Sequence, residues 1–131
     1  MRWFLVEPAP KVEQLQIHAK LFRGLGDPTR LRILECLLEG DRNVGQLVAL
    51  LGLQQGRVSS HLACLKWCGL VSSYRDGKNV YYRVADGRVR QLLALARGLA
   101  ADNAERIASC TRIDEGTGDG SVLSNQVASE D

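Results

Sequence analysis

Several things are scarce in this 131-residue chain: two histidines, one methionine and only 5% aromatic residues. No apolar run approaches the roughly 18–20 residues that a membrane-spanning helix needs, so no transmembrane segment and no membrane partner are expected. The opening MRWFLVEPAP lacks the apolar core and cleavage site of a signal peptide, so a cytoplasmic protein is expected. In that compartment its four cysteines, Cys36, Cys64, Cys68 and Cys110, read as free thiols or metal ligands rather than disulfides. No Cys-x-x-Cys pair and no acid/base constellation accompanies them, which argues against a thiol reductase, a metal-transfer protein or any other small enzyme, and no catalytic residue is assigned. Basic residues stop at Arg112. Five of the fifteen acids (Asp114, Glu115, Asp119, Glu130 and Asp131) lie beyond it, so residues 1–113 hold 17 basic against 10 acidic side chains and carry +7, although the whole chain carries only +2. A positive body with an acidic end suits a domain that binds a polyanion.

The length allows one domain with a tail. Residues 1–10 contain two prolines and no periodicity and read as an irregular arm. From Lys11 to Gly24, Val12, Leu15, Ala19 and Phe22 recur at three- and four-residue steps, predicting an amphipathic helix that Gly24 and Gly26 end. Asp27-Pro28 then predicts a helix start, with Asp27 as N-cap and Pro28 at the first helical position. That helix runs through Leu31, Ile33, Leu34, Leu37 and Leu38 to Gly40, with Cys36 as a core thiol. Asn43 caps a third helix with Gln46 as its capping-box partner, and Gly52 breaks it. A fourth helix, Gln55 to Trp67, ends at Gly69, a C′ glycine. The third and fourth helices form a helix-turn-helix. Leu70–Arg75 and Lys78–Val84 read as two strands around Asp76-Gly77. Asp86 caps a last helix whose Val89, Leu92, Leu93, Ala96, Leu99 and Ala100 form one apolar stripe. The expected fold class is therefore mainly α with a β-hairpin wing: a winged helix-turn-helix over residues 11–109, paired as a homodimer through its first and last helices. Residues 110–131 are read as a mostly disordered tail.

At about 100° per residue, Val58, Leu62 and Leu65 of the fourth helix share one core-facing stripe. Arg57, His61, Cys64 and Cys68 stack along a neighbouring edge at i, i+4, i+7 and i+11. Arg57 is the residue suited to bidentate reading of guanine, and Gln54 or Gln55 to adenine in double-stranded DNA. Ser59, Ser60 and His61 suit phosphate or base edges, and Arg75, Lys78 and Asn79 at the wing tip suit phosphate or the minor groove. The bland alternative for each is an ordinary solvated side chain. Cys64 and Cys68, one turn apart, have Cβ atoms roughly 5–6 Å from each other and can converge on one ion. Thiolates select soft ions such as cadmium, lead or mercury over magnesium or calcium. Spacing alone also leaves the pair readable as two half-buried small hydrophobes, and Cys110 is the one further thiol outside the expected core.

DPTRLRILECLLEG, the glycine turn, VSSHLACLKWCGLV and YRDGKNVYYRV together resemble the ArsR/SmtB family of metal-responsive repressors, over about Leu21 to Ala100. The resemblance implies a dimeric winged helix that sits on operator DNA when metal-free and lets go when an inducing ion binds. The family's Cys-x-Cys in the third helix is absent here, where Asp41-Arg42-Asn43-Val44-Gly45 stands. Its last-helix zinc site is absent too, since Asp86 and Arg88 stand where an Asp-x-His would begin and no histidine follows. What remains is similar to the family's cadmium/lead and mercury sensors, in which the recognition-helix pair is joined by a distant C-terminal cysteine. The resemblance thus implies a metal site of Cys64 and Cys68 with Cys110 of the other chain, and an inducer among mercury, cadmium and lead. A thiol redox sensor on the same scaffold, switched by a disulfide, is the alternative, and a ligand-free repressor with structural cysteines the blandest one.

Overall fold

The structure is a computed structural model that describes residues 9–116, with side chains to residue 113. The arm before residue 9 and the tail after residue 116 lie outside the described residues. In chain order the elements are α1 (Val12–Leu25), α2 (Pro28–Glu39), β1 (Arg42–Asn43), α3 (Val44–Leu51), α4 (Gln55–Trp67), β2 (Val71–Asp76), β3 (Asn79–Val84), α5 (Gly87–Asp102), α6 (Ala104–Ala108) and α7 (Thr111–Gly116).

Local chemistry sets most of these boundaries. The Asp27 carboxylate accepts the Arg30 N–H at 3.0 Å and Pro28 follows at the first helical position of α2. Asn43 and Gln46 close a reciprocal capping box on α3, with N–H to side-chain oxygen distances of 2.8 and 2.9 Å. Gly52 ends α3 in the left-handed region at φ 69°. The N–H groups of Gly69 and Leu70 donate to the carbonyls of Lys66 and Leu65, each at 3.0 Å, which is a Schellman close on α4 with Gly69 left-handed at φ 81°. Asp86 accepts the Arg88 N–H at 2.8 Å and starts α5.

The core lies where α2, α3, α4, β2 and α5 meet. Ile33 and Leu34 of α2, Leu47 of α3, Val58 and Leu62 of α4 are fully buried, with Val71, Val89 and Leu93 closing around them. These are the inward stripes that the sequence periodicity marks out. Leu53, in the turn between α3 and α4, is half-buried and packs on the same core.

Two details differ from expectation. The wing is a three-stranded antiparallel sheet in the order β1-β3-β2, because Arg42 and Asn43 pair with Tyr82 and Tyr81. A two-residue strand has no periodicity to betray it. The hairpin turns on Gly77-Lys78 rather than Asp76-Gly77, since Asp76 pairs with Asn79 and Gly77 alone has a positive φ, 66°. Glycine at the first central position is what a type II′ turn needs. Of the two glycines expected to end α1, Gly24 lies in its last turn and Gly26 caps it. Beyond α5, which Asn103 closes, the chain continues helically through α6 and into α7 at Thr111–Gly116, and the rest of the expected tail lies outside the described residues.

α1 buries only Leu25 against its own chain. Val12 is 68% exposed, and Leu15, Ile17 and Phe22 are exposed with it; on α5, Leu95 and Leu99 are 69% and 66% exposed. The stripe predicted for the first helix is thus left largely uncovered by the single chain, whereas that of the last helix is split, with Val89 and Leu93 in the core and Leu99 exposed.

Candidate nucleic-acid interface and thiol cleft

α4 presents two different edges. Gln54 at its N-cap and Gln55, Arg57, Ser59 and Ser60 along its first two turns are exposed on the side away from the core. Arg57 is the most anchored of them. One guanidinium nitrogen donates to the Thr29 hydroxyl at 3.5 Å, which leaves the rest of the group in solvent with its base oriented. At the other end, Lys66 Nζ donates to Ser73 Oγ at 2.7 Å and ties α4 to the wing.

His61 sits elsewhere than with these polar side chains. Its side chain is only 18% exposed and turns toward the start of α2. Arg30 Nε donates to His61 Nδ1 at 3.2 Å, Arg30 Nη1 donates to the Gly24 carbonyl at 3.1 Å, and Asp27 Oδ2 lies 3.9 Å from His61 Nε2. His61 Nδ1 is therefore the acceptor of the pair, and Nε2 faces the Asp27 carboxylate. The Arg30–His61 contact joins α1's end, α2 and α4 at one point. Sequence reasoning groups His61 with the DNA-facing residues because helical phase alone cannot see a partner 31 positions away.

Cys64 and Cys68 follow His61 along the same edge, facing α1. They open on a cleft of about 400 Å³ lined by Ile17, Lys20, Leu21 and Gly24 of α1, Arg30 of α2, Leu65 of α4, and Leu70. Cys64 is half-buried and Cys68 exposed. The lining is chiefly aliphatic, with the two cationic side chains beside it. Lys20 and Arg30 are cleft residues that the sequence reading misses, since nothing local marks them. Cys110, half-buried between α6 and α7, is not among the cleft residues; its N–H donates to the Ile107 carbonyl at 3.1 Å. Among the described residues no three His, Cys, Asp or Glu side chains gather into a metal-binding group. The donor set fits a soft ion at the level of two thiols one helical turn apart, and a third donor has to come from outside this cleft's own residues. Cys36, half-buried, packs against the core as expected.

The wing's stem is stiffened and its tip left free. Tyr74 stacks on Tyr81 with ring centroids 5.8 Å apart, and Arg83 lies 5.6 Å over the Tyr74 ring. The Tyr74 hydroxyl donates to Asp41 Oδ2 at 2.7 Å, and this bond to a carboxylate raises the phenol's pKa above its usual value. Arg75, Lys78 and Asn79 at the tip are exposed. At the base of the wing, the Arg88 guanidinium, and then its backbone N–H, hold the Asp86 carboxyl down at about 2. Other arginines of the basic body are engaged by groups of the same chain. Arg32 and Arg90 donate to the Leu51 and Leu38 carbonyls, and Arg97 pairs with Glu35 at 2.8 Å.

Among the described residues no helix is long and apolar enough to cross a membrane. Residues 27–73, from the N-cap of α2 into β2, match the family model described as bacterial regulatory protein, arsR family. A probable mercury resistance operon repressor of Streptomyces lividans is 53% identical over 95 residues, which cover 72% of this chain and 76% of that protein. The crystal structure of Rv0081 from Mycobacterium tuberculosis superposes with a TM-score of 0.67 at 34% identity, over 77% of this chain and all of that one. The solution structure of Mb0332 from Mycobacterium bovis, described as a homodimeric winged helix-turn-helix DNA-binding domain and a possible ArsR-family regulator, gives a TM-score of 0.63 at 29% identity, over 76% of this chain and 95% of that one. The fold and these likenesses agree: the chain is a winged helix-turn-helix DNA-binding transcriptional regulator, not an enzyme, and belongs to the bacterial arsR family.

Proposed function

We propose that this regulator is a homodimeric repressor whose hold on operator DNA is released by a soft thiophilic ion, mercury, cadmium or lead, captured at Cys64 and Cys68. The observation that carries the reading is that both thiols open on one cleft, on the same helix whose opposite end exposes Gln55, Arg57, Ser59 and Ser60. The name of the Streptomyces lividans relative, a mercury resistance operon repressor, supports the choice of ion class.

In this reading Gln54, Gln55 and Arg57 read base edges in the major groove, Ser59 and Ser60 bind phosphate or base edges, and Arg75, Lys78 and Asn79 hold the flanking backbone. His61 belongs to the scaffold of that surface rather than to the contact itself. Pairing of two copies through the exposed apolar faces of α1 and α5 sets two α4 helices about one DNA turn apart, the spacing that a near-palindromic operator needs. The homodimeric state of Mb0332 supports this arrangement. The partner subunit's Cys110 is the proposed third thiolate. A bound soft ion supplies a link between these sulfurs. Arg30 and His61, between the cleft and Arg57, hold α4 to the junction of α1 and α2, so a shift of the thiols is felt by the DNA-reading end of a rigid rod.

The test is fluorescence anisotropy of reduced protein on its upstream DNA, titrated separately with cadmium, lead, mercury and zinc. Release at near-stoichiometric soft ion, lost in Cys64→Ser and Cys68→Ser variants that still bind operator, is the expected result. Serine variants that still let go on metal addition overturn the site. Operator binding indifferent to every ion but lost on oxidation assigns the cysteines to redox sensing.

A further inference from the structure

The thiol cleft is built for more than a bare ion. Its volume of about 400 Å³ exceeds what an ion held by two sulfurs occupies, and its walls are the aliphatic side chains of Ile17, Leu21, Leu65 and Leu70. Aliphatic walls offer nothing to a hydrated ion, but they do favour a hydrocarbon. Among the described residues, the cleft brings together two thiols and no third histidine, cysteine or carboxylate.

We propose that the cleft binds organomercury cations, R–Hg⁺, with mercury on Cys64 or Cys68 and the organic substituent against Ile17, Leu21 and Leu70. This rests on the reading of Cys64 and Cys68 as ion-capturing thiols and extends it to a ligand class. The step is a substitution without electron transfer. The cysteine S–H bond breaks, an S–Hg bond forms, the proton passes to solvent, and the chloride or carboxylate that accompanied R–Hg⁺ departs. An alkyl- or arylmercury cation needs only one further sulfur, so the third donor required for a three-sulfur ion is dispensable here.

The experiment is thiol exchange on the full-length reduced protein, read by intact mass and peptide mapping, with glutathione competing for methyl-, ethyl- and phenylmercury and for inorganic mercury. Competition against another thiol cancels the intrinsic S–Hg strength and leaves the contribution of the cleft. The exchange constant is expected to rise from methyl to phenyl by about tenfold, the scale on which a hydrophobic pocket discriminates small apolar groups. Adducts should map to Cys64 or Cys68. Leu21→Gln, at a cleft position 37% exposed, should flatten the series while leaving inorganic mercury unchanged. Equal exchange constants across the series, or adducts that map to Cys36 or Cys110, overturn the proposal. If inorganic mercury adds to Cys64 and Cys68 and releases operator while the series stays flat, the organomercury inference fails and the ion-sensing reading stands. If inorganic mercury adds to neither thiol, both fall.

Discussion

Replacing His61 by alanine separates two roles that the sequence cannot tell apart. In the structure His61 accepts from Arg30 Nε at 3.2 Å with its side chain 18% exposed, and Arg30 keeps a second bond to the Gly24 carbonyl at 3.1 Å. Removing the imidazole leaves a charged donor half-buried and without its acceptor. Hydrogen bonds to charged groups contribute about 1.5–3 kcal/mol, and the remaining Gly24 bond and partial exposure put this one near ~1.5 kcal/mol. For a domain of about 100 residues that corresponds to a fall in melting midpoint of roughly 6–12 °C. The assay is thermal unfolding followed by circular dichroism at one fixed protomer concentration, because assembly makes the midpoint concentration-dependent. An Arg30→Met, His61→Ala cycle should return a coupling of about 1 kcal/mol, as residues in direct contact do. Operator affinity, measured well below the melting midpoint, should stay within about twofold of the parent. An unchanged midpoint together with an operator complex weakened about tenfold would refute the reasoning and put His61 on the DNA.

Arg57→Ala should weaken the operator complex by about 1–3 kcal/mol, the scale of a bidentate base contact, and by the same factor with and without soft ion; anisotropy on operator DNA checks both. Asp86 gives a pH prediction. Its carboxyl is lowered from 3.8 to about 2, chiefly by the Arg88 side chain, so its contribution to the start of α5 is complete above pH 4 and is lost as pH falls through about 2. Carboxyl chemical shifts and amide exchange of the first turn of α5 should both move in that window, and Asp86→Asn should remove it from the exchange profile.

The parts of the fold that were legible are those written in local code. Asp27-Pro28, the Asn43–Gln46 box, Gly52 and Gly69 each state a boundary within three or four residues, and each boundary appears where the local chemistry puts it. The inward stripe of Val58, Leu62 and Leu65 follows from helical phase alone and is buried. What was not legible depends on contacts distant in sequence. The pairing of Arg42 with Tyr82 spans forty positions, too short a strand to show a period. Lys20 and Arg30 join the thiol cleft only because α1 and α2 bring them beside α4 in space. The apolar periodicity of α1 was read correctly as amphipathic, but period cannot say whether a face meets its own chain or another copy. Val12, Leu15 and Phe22 are exposed in the single chain, which directs the question to assembly.

The arrangement along α4 also bears on how strongly the two proposed sites can influence each other. Arg57 on the exposed edge of α4, and His61, Cys64 and Cys68 on the edge that faces α1, are all held to one small region. Arg57 is bound to Thr29, His61 to Arg30, and both thiols open beside Arg30 and Gly24. Thr29 and Arg30 are consecutive in the first turn of α2. A ligand that displaces α1 from the cleft therefore acts on the same turn of α2 that orients Arg57, without any longer path. Coupling between two sites on one protein is typically about 1–3 kcal/mol and must be reciprocal, so operator DNA should weaken ion capture by the factor with which the ion weakens DNA. Arg30→Met leaves both thiols and Arg57 in the sequence while removing the shared support. On this reading it should leave ion affinity of the free protein nearly unchanged and bring the coupling factor toward one, as measured by ion titrations with and without saturating operator. A variant with undiminished coupling would show that communication runs through the subunit interface instead of through α2.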